Sequence, residues 1–455
     1  MQFTRSFRRG FHLIAWLGAI SPICVMFLFA PLLRAETVKD RAGAVRDDRA
    51  KMEDDARWIY NDWRRGFERA KETGKPLLVT LRCVPCLACA GIDASILTEP
   101  DLQPLLEKFV CVRVINANDL DLSIFQFDYD LSFSTMIFNG DGTVYGRYGS
   151  WTHQKDPYAK TTAGFRRALV EALEIHRDYP RNKQALAGKQ GKPMTVKDPL
   201  QLPELAGKYK RELDWDGKVV QSCVHCHQVS DAVRTQYRSE KKSIPPEWIY
   251  PMPNPEAIGL SLAADASARV ESVAPNSIAA KAGFHPRDEI ISLEGQPLIS
   301  IADVAWILHH APDTGTLTAR VKRDSGEKTL KIALHENWRM QSDIARRVGT
   351  WSMRAMALGG MFLEDLSDSE RAKRNIAPDQ LALFAKHVGE YGHHALAKRA
   401  GFKKEDIITE IDGITRRMSE SELMGRLILK HAPGEPIKAS ILRGDERLYF
   451  TYRMQ

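Results

Sequence analysis

The sequence has 455 residues, which is enough for about three domains of ordinary size. It contains 65 Lys and Arg against 58 Asp and Glu, so its formal net charge is only +7. A basic excess this small gives no indication of a nucleic-acid-binding protein, and we expect no nucleic acid among its partners.

The chain begins with a segment typical of an export signal. Basic residues precede the apolar stretch 11–33, and Ala35 offers a small-residue cleavage point. We expect residues 1–35 to be a signal peptide that is removed, which lowers the formal net charge to +3. The stretch is also close to membrane-span length, so an uncleaved anchor is the alternative, and only then do we expect membrane association. The predicted location is the periplasm or cell envelope.

The N-terminal half predicts alternating helices and strands. Apolar and β-branched runs indicate strands, and Asn139-Gly-Asp-Gly142 is a strong hairpin turn between two of them. The predicted order is a helix, a strand, a helix, a strand, a β-hairpin and a closing helix. The predicted ranges are helix 36–74, strands 77–81 and 110–115, hairpin strands 133–138 and 144–148, and helix 161–176.

Three cysteines follow the first predicted strand, in Cys83-Val-Pro-Cys86-Leu-Ala-Cys89. A cysteine at a helix N-terminus is favoured as a thiolate, and a second cysteine one turn later resolves the mixed disulfide. Both Cys-x-x-Cys pairs in this run have that spacing. The run therefore predicts a thiol redox site.

Residues 55–178 resemble thioredoxin-like domains, on the strength of Gly74-Lys-Pro76, the Cys-x-x-Cys spacing and the hairpin turn. The resemblance implies that Cys86 is the attacking thiol and Cys89 the resolving thiol. It leaves Cys83 as an extra thiol able to pair with Cys86. We place this domain at residues 36–180. The alternative is an inactive thioredoxin-like domain whose cysteines merely bridge or pack.

One position departs from the thioredoxin-like pattern. Ser134 stands where such domains carry a cis-proline beside the active disulfide. Because a cis peptide is costly without proline, we expect a trans bond here and an altered substrate-docking edge. Cys111, in a β-branched run, is expected to be a core residue.

A second cysteine pair lies in Cys223-Val-His-Cys226-His227, within the predicted linker and motif segment 181–255. The pattern matches c-type haem attachment, with thioethers from Cys223 and Cys226, His227 on the iron and Met252 as sixth ligand. A small electron-transfer cytochrome would follow from that interpretation. Zinc held by the two cysteines with one or both neighbouring histidines is one alternative, and a second disulfide is the other.

The C-terminal half contains an internal repeat. The fourteen-residue segments 282–295 and 400–413 align without gaps, from an Ala-Gly-Phe start to a closing glycine. We therefore expect two copies of one module. The predicted boundaries are 256–337 for the first copy, 338–357 for a linker and 358–455 for the second copy.

Both copies resemble PDZ domains of bacterial envelope proteases. In the first, Ile258, Gly259, Leu260, Ser261 and Leu262 stand where the carboxylate-binding loop belongs. The resemblance implies that an extended peptide adds a strand at the sheet edge while backbone N–H groups hold its terminal carboxylate. The predicted partners are therefore protein or peptide C-termini. The second copy matches less well and could be purely structural.

The order of these parts resembles a group of exported bacterial thioredoxin-like/PDZ (seleno)proteins. The implied fold is multidomain α/β plus β: a thioredoxin-like domain, a Cys-x-x-Cys-His segment and two PDZ-like β-barrels. The implied function is thiol-disulfide exchange with a redox partner, with PDZ modules holding client termini and haem c as a possible coupled cofactor. The alternative function is a non-enzymatic envelope scaffold that uses PDZ binding alone.

Overall fold

The computed structural model describes residues 40–82, 97, 99–155, 158–345 and 347–455. These residues belong to one compact unit. Within these ranges, no helix is both long and apolar enough to cross a lipid bilayer.

Three sheets and a two-stranded ribbon carry the strands of the described chain. The α-helices are α1 (Arg41–Glu53), α2 (Trp63–Thr73), α3 (Gln103–Leu106), α4 (Trp151–Lys155), α5 (Tyr158–Arg177), α6 (Lys183–Leu186), α7 (Cys226–Ser239), α8 (Pro246–Ile249), α9 (Ile278–Ala282), α10 (Ile301–His310), α11 (Thr350–Leu358), α12 (Asp368–Lys373), α13 (Leu396–Ala400) and α14 (Glu420–Lys430). The strands are β1 (Trp58–Tyr60), β2 (Leu77–Arg82), β3 (Val110–Val114), β4 (Phe133–Phe138), β5 (Val144–Tyr148), β6 (Leu260–Leu262), β7 (Val270–Val273), β8 (Glu289–Leu293), β9 (Gln296–Pro297), β10 (Gly315–Arg323), β11 (Gly326–Leu334), β12 (Met361–Asp365), β13 (Leu383–Val388), β14 (Ile407–Ile411), β15 (Pro436–Arg443) and β16 (Glu446–Arg453).

The first sheet has the order β1-β3-β2-β4-β5. Strands β1, β3 and β2 are parallel, whereas β4 and β5 form the predicted antiparallel hairpin. Every residue of β2, β3, β4 and β5 is buried, because helices and loops cover both faces of the sheet. This confirms the mixed α/β architecture predicted for the N-terminal half.

The predicted helix 36–74 is wrong in its middle. The structure contains two helices there, separated by the short strand β1, which pairs in parallel with β3. Asn61 has a positive φ of 58°, and the Asp62 carboxylate accepts a hydrogen bond of 2.9 Å from the Arg65 N–H to cap α2. The aromatic residues that suggested one periodic helix therefore belong to two elements.

The stretch predicted as a linker contributes to the core of the first sheet. Leu202, Leu205, Val224, Val229 and Val233 pack in the same apolar cluster as the side chains on one face of that sheet. These apolar residues are too sparse in the sequence to indicate a helix or a strand by their spacing. In the folded chain they are buried against the sheet. The segment around the second cysteine pair is thus built into the thioredoxin-like part.

An ion pair between an arginine and a buried aspartate occurs in both C-terminal modules, with the aspartate at the same position of the sequence repeat. In the first, Arg323 pairs with Asp288 (Nε to Oδ1, 2.6 Å) and donates to the Gly283 carbonyl. In the second, Arg443 pairs with Asp406 in the same way at 2.7 Å. Strands β8–β11 form the main sheet of the first module, and β12–β16 form that of the second. The repeat therefore encodes one recurring structural unit.

Helix α10 of the first module packs directly against strand β5 of the first sheet. The Asp303 carboxylate accepts a hydrogen bond of 3.1 Å from the backbone N–H of Arg147, and it forms an ion pair with Lys189 Nζ at 2.8 Å. The Arg147 guanidinium stacks over the Trp306 ring, 3.5 Å from its centroid. Because these groups are buried, the contact holds the first module in a defined position on the thioredoxin-like part.

Buried His153 predicts a loss of stability in acid. Its ring stacks on Tyr148, with 4.3 Å between centroids, and burial lowers the pKa of His153 to about 3. The unfolded chain binds this proton below about pH 6.5, whereas the folded chain does not until about pH 3, so stability falls as pH drops through that window. We expect the free energy of unfolding to be about 2 kcal/mol lower at pH 5 than at pH 8 from this group.

Urea unfolding at the two pH values measures this effect. His153→Gln should lose that part of the pH dependence, whereas His335→Gln, at an exposed position, should keep it. Equal pH dependence in the wild type and His153→Gln would show that His153 is not the group responsible.

Candidate functional site

The predicted redox run begins where strand β2 ends. Strand β2 lies between β3 and β4 and finishes at Arg82, one residue before Cys83. Cys83, Cys86 and Cys89 lie outside the described residues. Arg82, the residue before the run, therefore lies at the carboxyl edge of the parallel strands, and the choice of the reactive cysteine stays a prediction.

Ser134 lies beside the end of β2, where the resemblance places the substrate-docking edge. In the β2–β4 register, Leu81 pairs with Ser134 and Arg82 pairs with Phe133. Within the described ranges, the cis peptide bond is Tyr179–Pro180, so the bond preceding Ser134 is trans, as predicted. The edge next to the cysteine run thus lacks the proline of the usual pattern.

The second cysteine pair is attached to the same edge of the sheet. The Cys223 Sγ lies 3.5 Å from the carbonyl oxygen of Ile115, which follows strand β3. The Val224 N–H donates a hydrogen bond of 2.7 Å to the Asn118 Oδ1, and the Asn118 amide donates to the Ser222 carbonyl at 2.8 Å. Buried Asn118 therefore fixes the loop that carries Cys223.

Replacing Asn118 should destabilise this loop and the fold. Asn118→Leu keeps a similar volume but leaves the Val224 N–H and the carbonyls of Lys210 and Ser222 without their partner. Because buried unsatisfied polar groups are costly, we expect a loss of about 2–4 kcal/mol in the free energy of unfolding, measured with urea. Gln190→Leu, which removes one exposed amide contact, should cost less than about 1 kcal/mol. Equal losses would contradict the role given to Asn118.

A small cavity joins the end of β2 to the second cysteine pair. Its volume is about 20 Å³, close to the size of one water molecule. Arg82, Cys223 and Cys226 line it together with apolar side chains. Cys223 and Cys226 therefore line the same cavity as Arg82, the residue that precedes Cys83 in the sequence.

The two cysteines of this pair lie in different local environments. Burial raises the pKa of the Cys223 thiol to about 11. Cys226 is the first residue of the fourteen-residue helix α7, where the helix N-terminus favours a thiolate. Burial, with the neighbouring His227 and Arg41, lowers the pKa of His225.

The residues around this pair do not fit a haem as they are placed here. Pockets for organic ligands usually measure roughly 300–1,000 Å³, far more than the cavity between Cys223 and Cys226. Within the described ranges, no group of three or more His, Cys, Asp or Glu side chains has metal-binding geometry. No disulfide joins Cys223 to Cys226. The haem and zinc interpretations therefore stay predictions.

Met252, the predicted sixth haem ligand, lies in another part of the structure. It packs in the core of the first PDZ-like module, and its carbonyl accepts a hydrogen bond of 2.9 Å from Arg347. It lines a cavity of about 800 Å³ with Trp248 and His309, and neither Cys223 nor His227 lines that cavity. The structure therefore does not bring Met252 together with His227.

The predicted carboxylate-binding loop leads into a strand that has one unpaired edge among the described residues. Gly259 has a positive φ of 85°, which turns the chain from Ile258 into strand β6. In the described chain, β6 pairs only with β7, so its other edge has no strand beside it. Helix α10 of the same module contacts the thioredoxin-like part through Asp303, which pairs with Lys189. Strand Leu260–Leu262 thus has one edge that no strand of the described chain occupies, although Leu260 and Leu262 themselves are buried.

The corresponding edge of the second module is already occupied. The Leu363 N–H of β12 donates a hydrogen bond of 2.8 Å to the Glu420 carboxylate, which also pairs with Arg354. Both ends of that ion pair are buried. An added peptide strand would have to displace this contact, which favours a structural role for the second module.

Several residues that shape the site belong to no motif and were not predicted from the sequence. Asn118 holds the loop of the second cysteine pair, Arg82 lines the cavity beside that pair, and Lys189 pairs with Asp303 of the first PDZ-like module. Each acts on a segment distant in sequence. Only their burial, visible once the chain is folded, distinguishes them from ordinary surface residues.

Comparisons with known proteins identify two domains. A thioredoxin-like family profile matches residues 58–140, and a PDZ-domain profile matches residues 269–323. No curated protein matches the chain.

Two similar solved structures are of the HtrA-type protease AlgW. The structure with a decapeptide is 16% identical to this chain and has a TM-score of 0.20. The match covers 30% of this chain and 44% of that chain. The structure with a tripeptide is 17% identical to this chain and has a TM-score of 0.18. The match covers 29% of this chain and 41% of that chain. The chain thus matches less than half the length of these structures. The family profiles confirm the prediction that this chain contains a thioredoxin-like domain and a PDZ domain.

Proposed function

We propose that this protein is a thiol-disulfide redox protein of the periplasm or cell envelope. In this proposal Cys86 attacks a disulfide, Cys89 resolves the mixed disulfide, and Cys83 is an auxiliary thiol. The observation that carries it is the position of Arg82, which ends a buried strand of a thioredoxin-like sheet directly before the cysteine run.

The first PDZ-like module supplies peptide binding in this proposal. The unpaired edge of Leu260–Leu262 accepts an extended C-terminus, and the loop at Gly259 holds its carboxylate. The buried contact between Asp303 and Lys189 keeps the module at a set position on the thioredoxin-like part. A client bound there stays near the redox domain, which raises its effective concentration.

Two peptides of the same sequence test the proposal, each containing one disulfide and ending in either a carboxylate or an amide. We expect the wild type to exchange with both but to have a lower KM for the carboxylate form. Binding of the carboxylate form without any exchange would support the alternative, a scaffold with an inactive thioredoxin-like domain. Equal KM values for both peptides would remove the PDZ part of the proposal.

A further inference from the structure

We propose that the cavity between the thioredoxin-like part and the first PDZ-like module binds a small neutral molecule that has a planar aromatic ring and carbonyl oxygens. The cavity has a volume of about 800 Å³, and sites for organic ligands usually measure roughly 300–1,000 Å³. None of the described cysteines lines it, and neither does strand Leu260–Leu262. The inference therefore goes beyond the proposed function and does not depend on it.

Aromatic side chains from separate parts of the chain form much of the cavity wall. Two come from the segment before β4, one each from helices α7 and α8, and one from helix α10 of the first PDZ-like module: Phe127, Tyr129, Tyr237, Trp248 and Trp306. The rings of Phe127 and Tyr129 meet edge to face, with their centroids 4.8 Å apart. Aromatic rings pack well against other flat rings, so this wall favours a planar aromatic ligand.

Two hydrogen-bond donors on the cavity lining have no acceptor among the described residues. Arg339 is only 5% exposed, and its Nε has no hydrogen-bond partner. The Nδ1 of His309 accepts a hydrogen bond of 3.5 Å from the Met252 N–H, so the ring proton lies on Nε2. No described residue accepts a hydrogen bond from that Nε2. Because an unsatisfied buried donor is costly, oxygen acceptors on a ligand would be stabilised here.

The two donors belong to residues that contact each other. The Arg339 Nη2 donates a hydrogen bond of 3.3 Å to the carbonyl oxygen of His309. The donors therefore lie in one part of the cavity lining, whereas Phe127 and Tyr129 come from the thioredoxin-like part. A ring with carbonyl oxygens can pack on the aromatic wall and accept hydrogen bonds from these donors.

The charges on the lining favour a neutral ligand. Three cationic and three acidic side chains line the cavity: Lys192, Lys242 and Arg339, with Glu240, Glu247 and Asp313. Two of the cations already form ion pairs within the lining, Arg339 with Asp313 and Lys242 with Glu240. A charged ligand would therefore meet no excess of the opposite charge.

Binding of riboflavin to the full-length protein tests the inference. Riboflavin is neutral at neutral pH, and its planar ring carries two carbonyl oxygens. We expect one molecule to bind with a Kd of about 1–10 µM, at the ligand efficiency usual for its size, which is measured by quenching of its fluorescence. Two fluorescent dyes, cationic thioflavin T and anionic anilinonaphthalene sulfonate, lack carbonyl oxygens. Both should bind at least about tenfold more weakly.

Variants of the lining show whether riboflavin occupies this cavity. Thr195 is an exposed residue of the lining, so Thr195→Trp should fill space in the cavity and weaken binding at least about tenfold. Lys197→Trp, two residues away at an exposed position outside the lining, should bind as the wild type does. His309→Phe removes one donor and should weaken binding about tenfold, whereas His309→Gln keeps an N–H donor and should stay within about threefold. Circular dichroism shows that each variant is folded.

Three results would overturn the inference. One is the absence of riboflavin binding to the wild type. The second is equal binding to the wild type, Thr195→Trp and His309→Phe, which would place riboflavin outside the cavity. The third is tighter binding of either charged dye at a site that Thr195→Trp blocks, since the cavity would then select a charged ligand.

Discussion

Replacing Cys86 with serine is expected to lower the rate of exchange with a peptide disulfide by at least about 100-fold, to the uncatalysed rate. The expectation follows from the position of the run, directly after the buried strand that ends at Arg82. Serine keeps the size of the side chain but is not a nucleophile towards sulfur at neutral pH. The rate of exchange is measured by absorbance with a thiol-reactive dye.

Two control variants make the Cys86 result specific. Cys111→Ala should exchange at the wild-type rate, because burial raises the pKa of the Cys111 thiol to about 12 and keeps it unreactive. Cys89→Ser should trap a mixed disulfide on Cys86, which the wild type resolves. If Cys83→Ser instead gives the large loss, the reactive pair is Cys83 and Cys86, and the assignment by resemblance is wrong.

Replacing Asp303 with leucine is expected to lower the free energy of unfolding by about 3–5 kcal/mol. Asp303 is 1% exposed and its partner Lys189 is 0% exposed, so the substitution leaves an unpaired ammonium group in the interior. The backbone N–H groups of Arg147 and Ile299 also lose the carboxylate that accepts their hydrogen bonds. Urea unfolding followed by circular dichroism measures the change.

An exposed ion pair of the same module is the matched control. Arg320 and Glu327 are both about half exposed, so Arg320→Leu should cost less than about 1 kcal/mol. The double variant Lys189→Met with Asp303→Leu should recover part of the loss, since no charge is then left unpaired. If Asp303→Leu costs no more than Arg320→Leu, the buried pair does not hold the two domains together.

Local signals in the sequence were sufficient for much of the fold. The turn Asn139-Gly-Asp-Gly142 and the alternation beside it predicted the hairpin β4–β5 with its observed bounds. The repeated segments predicted two related modules because Asp288 and Asp406 occupy the same buried position against an arginine. In these cases neighbouring residues determine the local structure.

Contacts between distant segments set the rest of the fold. The strand Trp58–Tyr60 forms because β3 offers it an edge, whereas its own aromatic spacing is typical of a helix. The position of Cys223 depends on Asn118, a polar residue in an irregular segment with no motif around it. The second cysteine pair is therefore recognisable in the sequence, whereas its place beside the first sheet is not.

A glutathione redox titration of the wild type, with the disulfides assigned by mass mapping, tests the assignment of Cys86 and Cys89 as the reactive pair. We expect these two cysteines to form and lose one disulfide in a single two-electron transition within the glutathione range. Two independent thiols that only become glutathionylated, with no disulfide between Cys86 and Cys89 at any ratio, would contradict it.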